Sequence, residues 1–513
     1  MRWIPIIGLE VHVQLKTATK MFCGCPLVED GAAPNTAICP VCTAQPGALP
    51  ALNQHAVELG VKTGLALGCR IPDQSAFDRK NYFYPDLPKG YQISQYYSPA
   101  CLDGRLVVDV PKGLPGRERL EVAIERAHLE EDAAKNVHVP ADAGQEPATY
   151  VDFNRAGSPL LEIVSGPDLR SPQEAKAYLQ ALRGVLRAVG ASDADMERGQ
   201  MRCDANVSLL EVDNEGRPTK AGLNPRTEIK NLNSFRAVER AITFEMERQG
   251  KLYAAGQVPE AATRGWDENR GETFDQRSKE TSADYRYFPE PDLPPQALQA
   301  ARDLFSTRMP ELPRETEDRL IAEYGLTRPD AAFVVSHEGW VDFTEHVMGE
   351  LGGWLESDPG DASAGDQMEA KRLELGRFAG GWLTSKFAGL LADRGIDIAA
   401  AGIDPEDFAE FLHLVWEGKI NSSNAQKLLA LMLETKDDPS HLMERHDLGQ
   451  NLDPEKLAAA VRDIIANSPK QVEEVKSGKL GILKWFVGAV MKATDGKANP
   501  QEAEEMVKKE LGV

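Results

Sequence analysis

Strict alternation marks the first strand. In I-G-L-E-V-H-V-Q-L, residues 7–15, Ile7, Leu9, Val11, Val13 and Leu15 share one side, and Gly8, Glu10, His12 and Gln14 share the other. That period of two is what a half-buried strand requires. A strand beginning near Leu120 repeats it with Val122 and Ile124, then places Arg126, His128 and Glu130 on that same side. Met201, Cys203, Ala205, Val207 and Leu209 alternate with Arg202, Asp204, Asn206 and Ser208. Helices lie between the strands. Ser171-Pro172-Gln173-Glu174 combines an N-cap, a proline suited to the first turn and a capping-box glutamate. Tyr178, Leu179, Leu182, Leu186 and Val189 follow at helical spacing, and Gly190 ends the helix. Phe235 to Gln249 reads as a second amphipathic helix.

Pro289-Glu290-Pro291-Asp292-Leu293-Pro294-Pro295 punctuates the chain, and strand signals fade beyond it. Residues 296 to about 405 read as a helical domain with a polar loop near 357–366. From 406 onward, short amphipathic helices are separated by Asn421-Ser422-Ser423, Asp437-Asp438-Pro439 and Ser468-Pro469. The first half is therefore α+β and the second all-α, with no internal repeat.

A chain of 513 residues is too long for one core and implies roughly two to four domains. No apolar run is long enough to span a bilayer. The start lacks the basic, apolar and small-residue segments of a secretory signal, so a cytoplasmic protein without a membrane partner is expected. A net charge of −22 excludes indiscriminate coating of nucleic acid. Between Lys470 and Lys497, however, six lysines face only Glu473, Glu474 and Asp495. Taken alone, such a run reads first as a solvated surface.

Among seven cysteines, Cys23-Gly24-Cys25 and Cys39-Pro40-Val41-Cys42 form two close pairs. Such paired thiols on turns suit a tetrahedral zinc. Four thiolates leave no open position, so the ion would be structural. Cys69, Cys101 and Cys203 are isolated and read as ordinary core or surface thiols.

Charged groups recur on the polar sides of four strands. Glu10 and His12 share a face, His128-Leu129-Glu130-Glu131-Asp132 closes a second strand, and Asp204 lies on a third. A fourth carries Glu228 and Lys230. Carboxylates interleaved with cations fit a Mg²⁺–nucleotide site. Solvated faces laced with salt bridges fit the same residues. There is no GxxxxGK[ST] loop and no GxGxxG fingerprint in the right setting. The run Phe77-Asp78-Arg79-Lys80-Asn81-Tyr82-Phe83-Tyr84-Pro85-Asp86 mixes aromatic rings with cations, as a base-stacking or tRNA 3′-end surface does, or as an ordinary packed loop does.

At these motifs the chain resembles the B subunit of the aspartyl/glutamyl-tRNA(Asn/Gln) amidotransferase. The resemblance rests on residues 7–15, C-P-V-C…P-G-A-L-P-A-L-N at 39–53 and F-D-R-K-N-Y-F-Y-P-D-L-P-K-G-Y-Q-I-S-Q at 77–95. H-L-E-E-D-A-A-K at 128–135, D-F-N-R-A-G-S-P-L-L-E-I-V at 152–164 and M-R-C-D-A-N-V-S at 201–208 continue it. R-T-E-I-K-N-L-N-S-F at 226–235, D-Y-R-Y-F-P-E-P-D-L at 284–293 and the tail pieces K-I-N-S-S-N-A-Q-K and M-K-A-T-D-G-K-A-N-P complete it.

The resemblance implies an α+β cradle on a curved antiparallel sheet over residues 1–295, a helical domain at 296–405 and a small helical tRNA-binding tail at 406–513. It implies an ATP-dependent ligase. The side-chain carboxylate of misacylated Glu-tRNA(Gln) or Asp-tRNA(Asn) becomes an acyl phosphate, which ammonia converts to the amide. Glu10, His12, Glu130 and Glu131 match the positions that bind catalytic Mg²⁺. Arg79, Lys80, Asp204, Glu228 and Lys230 are expected to handle nucleotide and substrate. No glutaminase signature is visible, so ammonia is expected from glutamine through a partner amidase, the A subunit of such complexes, with a small C subunit completing a heterotrimer. Ala134 stands where the family commonly has glycine. The archaeal-type relative, the E subunit, would carry an inserted domain, which is not visible. An aminoacyl-tRNA synthetase would need HIGH- and KMSKS-like motifs. A non-catalytic zinc-bearing tRNA-binding scaffold is the remaining alternative.

Overall fold

A computed structural model of the chain describes residues 2–28, 31–111, 113–114, 118–139, 147–277, 285–357, 365–450, 454–477, 479–494 and 497–512. Most of the polar loop expected near 357–366 therefore lies outside the described residues, as does Asp495 of the lysine-rich stretch. The chain divides into two compact units, Met1–Leu312 and Pro313–Val513.

The first unit is built on an eight-stranded sheet. Its strands in chain order are β1 (Arg2–Gln14), β2 (Cys101–Asp109), β3 (Arg119–Glu131), β4 (Pro159–Ser165), β5 (Met201–Val212), β6 (Thr227–Leu232), β7 (Ala262–Asp267) and β8 (Glu272–Arg277). Across the sheet they run β8-β7-β6-β5-β1-β4-β3-β2, so the first strand lies inside the sheet with partners on both sides. All neighbours are antiparallel except β6 and β7. The alternation read in β1 holds. Ile7, Leu9, Val11, Val13 and Leu15 are buried, while Glu10, His12 and Gln14 face the other side. Each such apolar side chain contributes about 1.5–3 kcal/mol of burial, which fixes the face that β1 turns to the core.

Helices α1 (Gln54–Ala66), α2 (Pro172–Ala188) and α3 (Phe235–Ala254) cover that core face. Ser171 caps α2 by accepting from the Glu174 N–H at 3.1 Å. The Glu174 carboxylate in turn accepts from the N–H of Arg170, one residue before the cap. Gly190, at φ +71°, supplies the left-handed turn that closes α2. α3 runs past Gln249 to Ala254, and its Tyr253 stacks on Trp3 at 4.1 Å.

Two bulges change which side chains reach the open face. Between Ile124 and Arg126, β3 carries one residue more than β4, which steps only from Ser165 to Val164. The core set therefore switches parity from Leu120, Val122 and Ile124 to Ala127 and Leu129. Arg126, His128 and Glu130 do not share a side with Val122 and Ile124, as simple alternation suggests; the extra residue turns them to the opposite face. A second bulge lies between β5 and β6, where Cys203 pairs with Leu232 but Ala205 with Ile229. Asn231 sits within it at φ +66°, a conformation asparagine tolerates better than most residues.

The proline-rich stretch at 289–295 does not end the sheet unit. Phe288–Pro289 pairs with Asp78–Asn81, which also pairs with Tyr91–Ser94, and Gln296–Ala297 pairs with Gln74–Ser75. Helix α4 (Gln299–Ser306) follows, and Leu298 and Ala301 belong to the sheet unit's core.

The second unit is helical. One apolar cluster runs from Leu320 to Leu448, so the helices just beyond 405 share a core with those before it: Phe408 packs on Phe343 and Phe387 at 5.6 and 4.8 Å. A separate cluster spans Leu457 to Leu511. Sequence punctuation near 406 marks a loop between helices, whereas core membership changes between Leu448 and Leu457. Among the described residues no helix is long and apolar enough to cross a membrane.

Candidate functional site

Register brings the open-face charges together. His128 on β3 pairs with Glu162 on β4, Glu162 with His12 on β1, and His12 with Arg202 on β5. These four residues form one row about 15 Å long at the usual strand spacing. One step along the strands, Arg126, Val164, Glu10 and Asp204 form the next row.

His12 is the hub. Its Nε2 lies 3.5 Å from Glu10, and its Nδ1 lies 3.2 Å from Glu130 and 3.8 Å from Glu162. The His12 hydrogen bond, acting against burial, holds the Glu10 carboxyl down to about 2. Burial would lower the His12 pKa, but Glu10 and Glu130 push it well above the ordinary imidazole range. The imidazolium thus takes the place of a cation among carboxylates. Glu10 directly opposes Asp204, a like-charge pair that is unfavourable across strands unless a positive group lies between. Lys230 offsets the Asp204 side: its ammonium reaches Asp204 at 2.6 Å and Glu228 at 3.1 Å. Burial and the Glu10 charge still hold Asp204 above its usual range despite that lysine.

Glu10, His12 and Asp204 offer ligand atoms within 4.8 Å of one another, and so do His12, Glu130 and Glu162. A set of four carboxylates and one imidazole, mostly oxygen donors, suits a hard divalent cation. Glu130 also accepts from Ser94 at 3.1 Å. His128 stands 3.4 Å from Glu162, and its buried Nδ1 has no hydrogen-bond partner among the described residues.

The remaining expected residues divide sharply. Lys80 lies over the Tyr285 ring at 5.1 Å. Burial would lower its pKa, but Glu130 and other nearby negative groups raise it, so it faces the cluster. Arg79, its neighbour on the strand, points elsewhere. It forks onto buried Glu290 at 2.7 and 2.8 Å, reaches Asp292 at 3.2 Å and stacks over Tyr91. That fork fastens the 288–292 segment to the sheet unit and occupies the guanidinium with Glu290 and Asp292. Glu131 is also separated from the cluster. As the residue after Glu130 it turns to the other side of β3, where Lys89 binds it at 2.7 Å and the Ile93 N–H donates to it at 3.0 Å. Glu228 accepts from Thr263 at the edge of the group.

Spacing does not single out Glu162 or His128 as ligands, yet both stand in the central row. The signal for Glu162 is its position: one carboxylate inside the apolar run P-L-L-E-I-V has to find a partner when buried.

The cysteine cluster forms separately. Cys23, Cys25, Cys39 and Cys42 offer sulfur atoms within 4.8 Å of one another, and the Cys39–Cys42 pair is 3.9 Å apart. Thiolates around a tetrahedral zinc at about 2.3 Å stand about 3.8 Å apart, so the donor set fits. Buried Lys20 reaches Cys42 at 3.6 Å, placing a positive charge against the thiolates. The Cys23 hydrogen bond, opposed by burial, draws Cys42 down to about 4.

Comparison with known proteins gives the family. A family model described as the GatB/GatE catalytic domain matches residues 5–302, and one described as the GatB domain matches residues 369–511. The chain is 44% identical over 513 residues to the aspartyl/glutamyl-tRNA(Asn/Gln) amidotransferase B subunit of Thermomicrobium roseum, covering 100% of this chain and 99% of the relative. It is 42% identical over 512 residues to the protein of the same name from Thermotoga maritima, covering 100% and 99%. Against that of Anaeromyxobacter sp. (strain K) it is 43% identical over 508 residues, covering 99% and 98%.

Proposed function

Because the chain belongs to the family of aspartyl/glutamyl-tRNA(Asn/Gln) amidotransferase B subunits, we propose that its sheet unit performs ATP-dependent amidation of misacylated Glu-tRNA(Gln), Asp-tRNA(Asn) or both. The substrate's side-chain carboxylate attacks the γ-phosphorus of ATP and ADP leaves. Ammonia then attacks the acyl carbon of the resulting acyl phosphate, phosphate leaves, and the amide forms. The reading is carried by the register that gathers Glu10, His12, Glu130, Glu162 and Asp204 from four adjacent strands.

These five residues would hold Mg²⁺, which supplies charge neutralisation on the transferring phosphoryl group. Lys80 and Lys230 add fixed positive charge on either side of the cluster, where partial burial strengthens their pull on phosphate oxygens. To serve as a ligand, His12 would have to be neutral, so its imidazole would hold the proton only while the site is empty. Cys23, Cys25, Cys39 and Cys42 would hold a structural Zn²⁺ that ties the Cys23–Cys25 turn to the Cys39–Cys42 turn.

Ammonia comes from glutamine hydrolysed by the amidase, or A, subunit, with a small C subunit completing the heterotrimer in the cytoplasm. The helical tail engages tRNA through Lys470, Lys476, Lys484 and Lys492, all exposed. The functional division is into cradle, helical domain and tail. Since Leu457–Leu511 form their own core, deleting residues 454–513 should weaken tRNA binding while glutaminase activity of the complex persists. Unchanged tRNA affinity would remove the tail from recognition.

The deciding assay uses the purified complex with its amidase partner, Glu-tRNA(Gln) and Asp-tRNA(Asn), ATP, Mg²⁺ and glutamine, comparing wild type with Glu10→Ala. Amide formation lost in the variant, with glutamine hydrolysis retained, supports the proposal. An unaffected variant moves the chemistry elsewhere and leaves a tRNA-binding scaffold.

A further inference from the structure

Exposed aromatic rings gather at one edge of the carboxylate cluster, on a base that is unusually well fixed. Tyr96 stacks on Tyr287 at 4.2 Å with an interplanar angle of 12°, yet 44% of it remains exposed. Tyr97 meets it edge-on at 5.1 Å and is more exposed still. The turn that carries both is held from beneath. The N–H groups of Tyr96 and Tyr97 donate to one oxygen of Asp78 at 2.8 and 3.0 Å, and Asp78 is 2% exposed. The buried Gln95 side chain accepts from the N–H groups of Leu129 and Ala100 and donates to Ser75. A turn with this many buried bonds holds its rings in place before any ligand arrives.

The cation beside the rings is equally specific. Arg126 lies over Tyr96 at 5.7 Å, and it reaches the open face only because the β3 bulge reverses parity there. Arg126 and Glu10 both line a cavity of about 380 Å³. Two strand spacings separate Arg126 from Glu10 in their shared row, about 10 Å. Tyr287, the underlying ring, feels the charges of Lys80, Glu130 and Glu162. The rings therefore adjoin the proposed reaction site and are not a remote surface patch.

We infer that Tyr96, backed by Tyr287 and flanked by Arg126, is a stacking platform for the adenine ring of a nucleotide substrate. A fixed aromatic face with a guanidinium beside it binds a base through its π-face and the adjoining phosphate or ribose through charge. This rests on the proposed function, in which both ATP and the 3′ end of the tRNA present an adenine. The two sources are separable by experiment.

The test measures equilibrium binding of ATP and, separately, of tRNA to the intact complex without glutamine, so that it reads even if no amide forms. Tyr96→Leu keeps apolar volume but removes the ring face, and Tyr96→Phe keeps the face. Tyr96→Leu should weaken one of the two ligands by about tenfold, the order that base–aromatic stacking supplies, and Tyr96→Phe should bind within about twofold of wild type. Weakened ATP assigns the platform to the triphosphate; weakened tRNA assigns it to the terminal adenosine. If Tyr96→Leu, with an unchanged melting temperature, binds both ligands as wild type does, the inference is overturned. Loss in both variants alike also overturns it, because a hydroxyl contact and not stacking would then be responsible. A complex that binds nucleotide through Tyr96 yet forms no amide would refute the proposed function and leave the platform standing.

Discussion

At the cysteine knuckle every donor is a thiol and all four lie between Cys23 and Cys42, whereas on the sheet face the donors are mixed and reach from Glu10 to Asp204 along the chain. The knuckle is closed: four sulfurs saturate a tetrahedral ion and leave nothing for a substrate. The sheet cluster is open and strained by like charges, with an imidazolium and Lys230 offsetting them. A closed, uniform site tightens a fold. A site of crowded carboxylates costs stability unless a positive charge offsets it.

The sharpest way to break that contrast is substitution at both sites. Glu10→Ala and Glu162→Gln should each lower amide formation by at least about 10²-fold and shift the melting temperature by no more than about 2 °C. Cys39→Ser should do the reverse, losing folded protein before it loses chemistry. An inactive but fully stable Cys39→Ser would merge the two sites into one, as read by amide assay beside thermal denaturation.

Arg79 and Lys80 repeat the contrast on one strand. Arg79→Ala strands the buried Glu290 carboxylate and should cost about 3–5 kcal/mol in denaturant titration. Lys80→Ala should cost little stability and raise the KM for ATP or tRNA. If Arg79→Ala is as stable as wild type, the fork onto Glu290 is not what holds the 288–292 strap.

Chelation should act on the knuckle selectively. Prolonged treatment with a strong zinc chelator should release one equivalent of zinc and expose four additional reactive thiols. Mg²⁺ binding should then decline only as the fold loosens. Thiol titration that finds no difference would argue against a bound zinc.

The smallest expected effect is at Glu131. Glu130→Gln should weaken Mg²⁺ binding by about tenfold, one hydrogen-bonded charge interaction's worth. Glu131→Gln, turned away and paired with Lys89, should change it less than about twofold. Equal losses at the two positions would mean that β3 rearranges when metal binds.

Much of the site is legible in the chain, and the residues that are not share a cause. Glu10, His12 and Asp204 stand on regular strands, where alternation alone assigns the face. Glu130 is legible as a candidate for the cluster, but simple alternation puts it on the wrong side, because a bulge cannot be seen in one strand. Glu131 and Arg79 carry the right charge, yet each lies next in sequence to a residue of the cluster and so faces away from it. Glu162 escapes notice because its neighbours are all apolar.

The sequence by itself determined what is local. The helix cap at Ser171, the alternation of β1 and the paired cysteines each depend on residues a few positions apart, whose geometry the backbone dictates. Tertiary structure alone decided which strands are neighbours, where bulges fall, and that the proline-rich strap and α4 belong to the sheet unit. The physical reason is that one inserted residue in a strand reverses every side chain beyond it, and whether it is inserted is set by the partner strand, which lies far away in the chain.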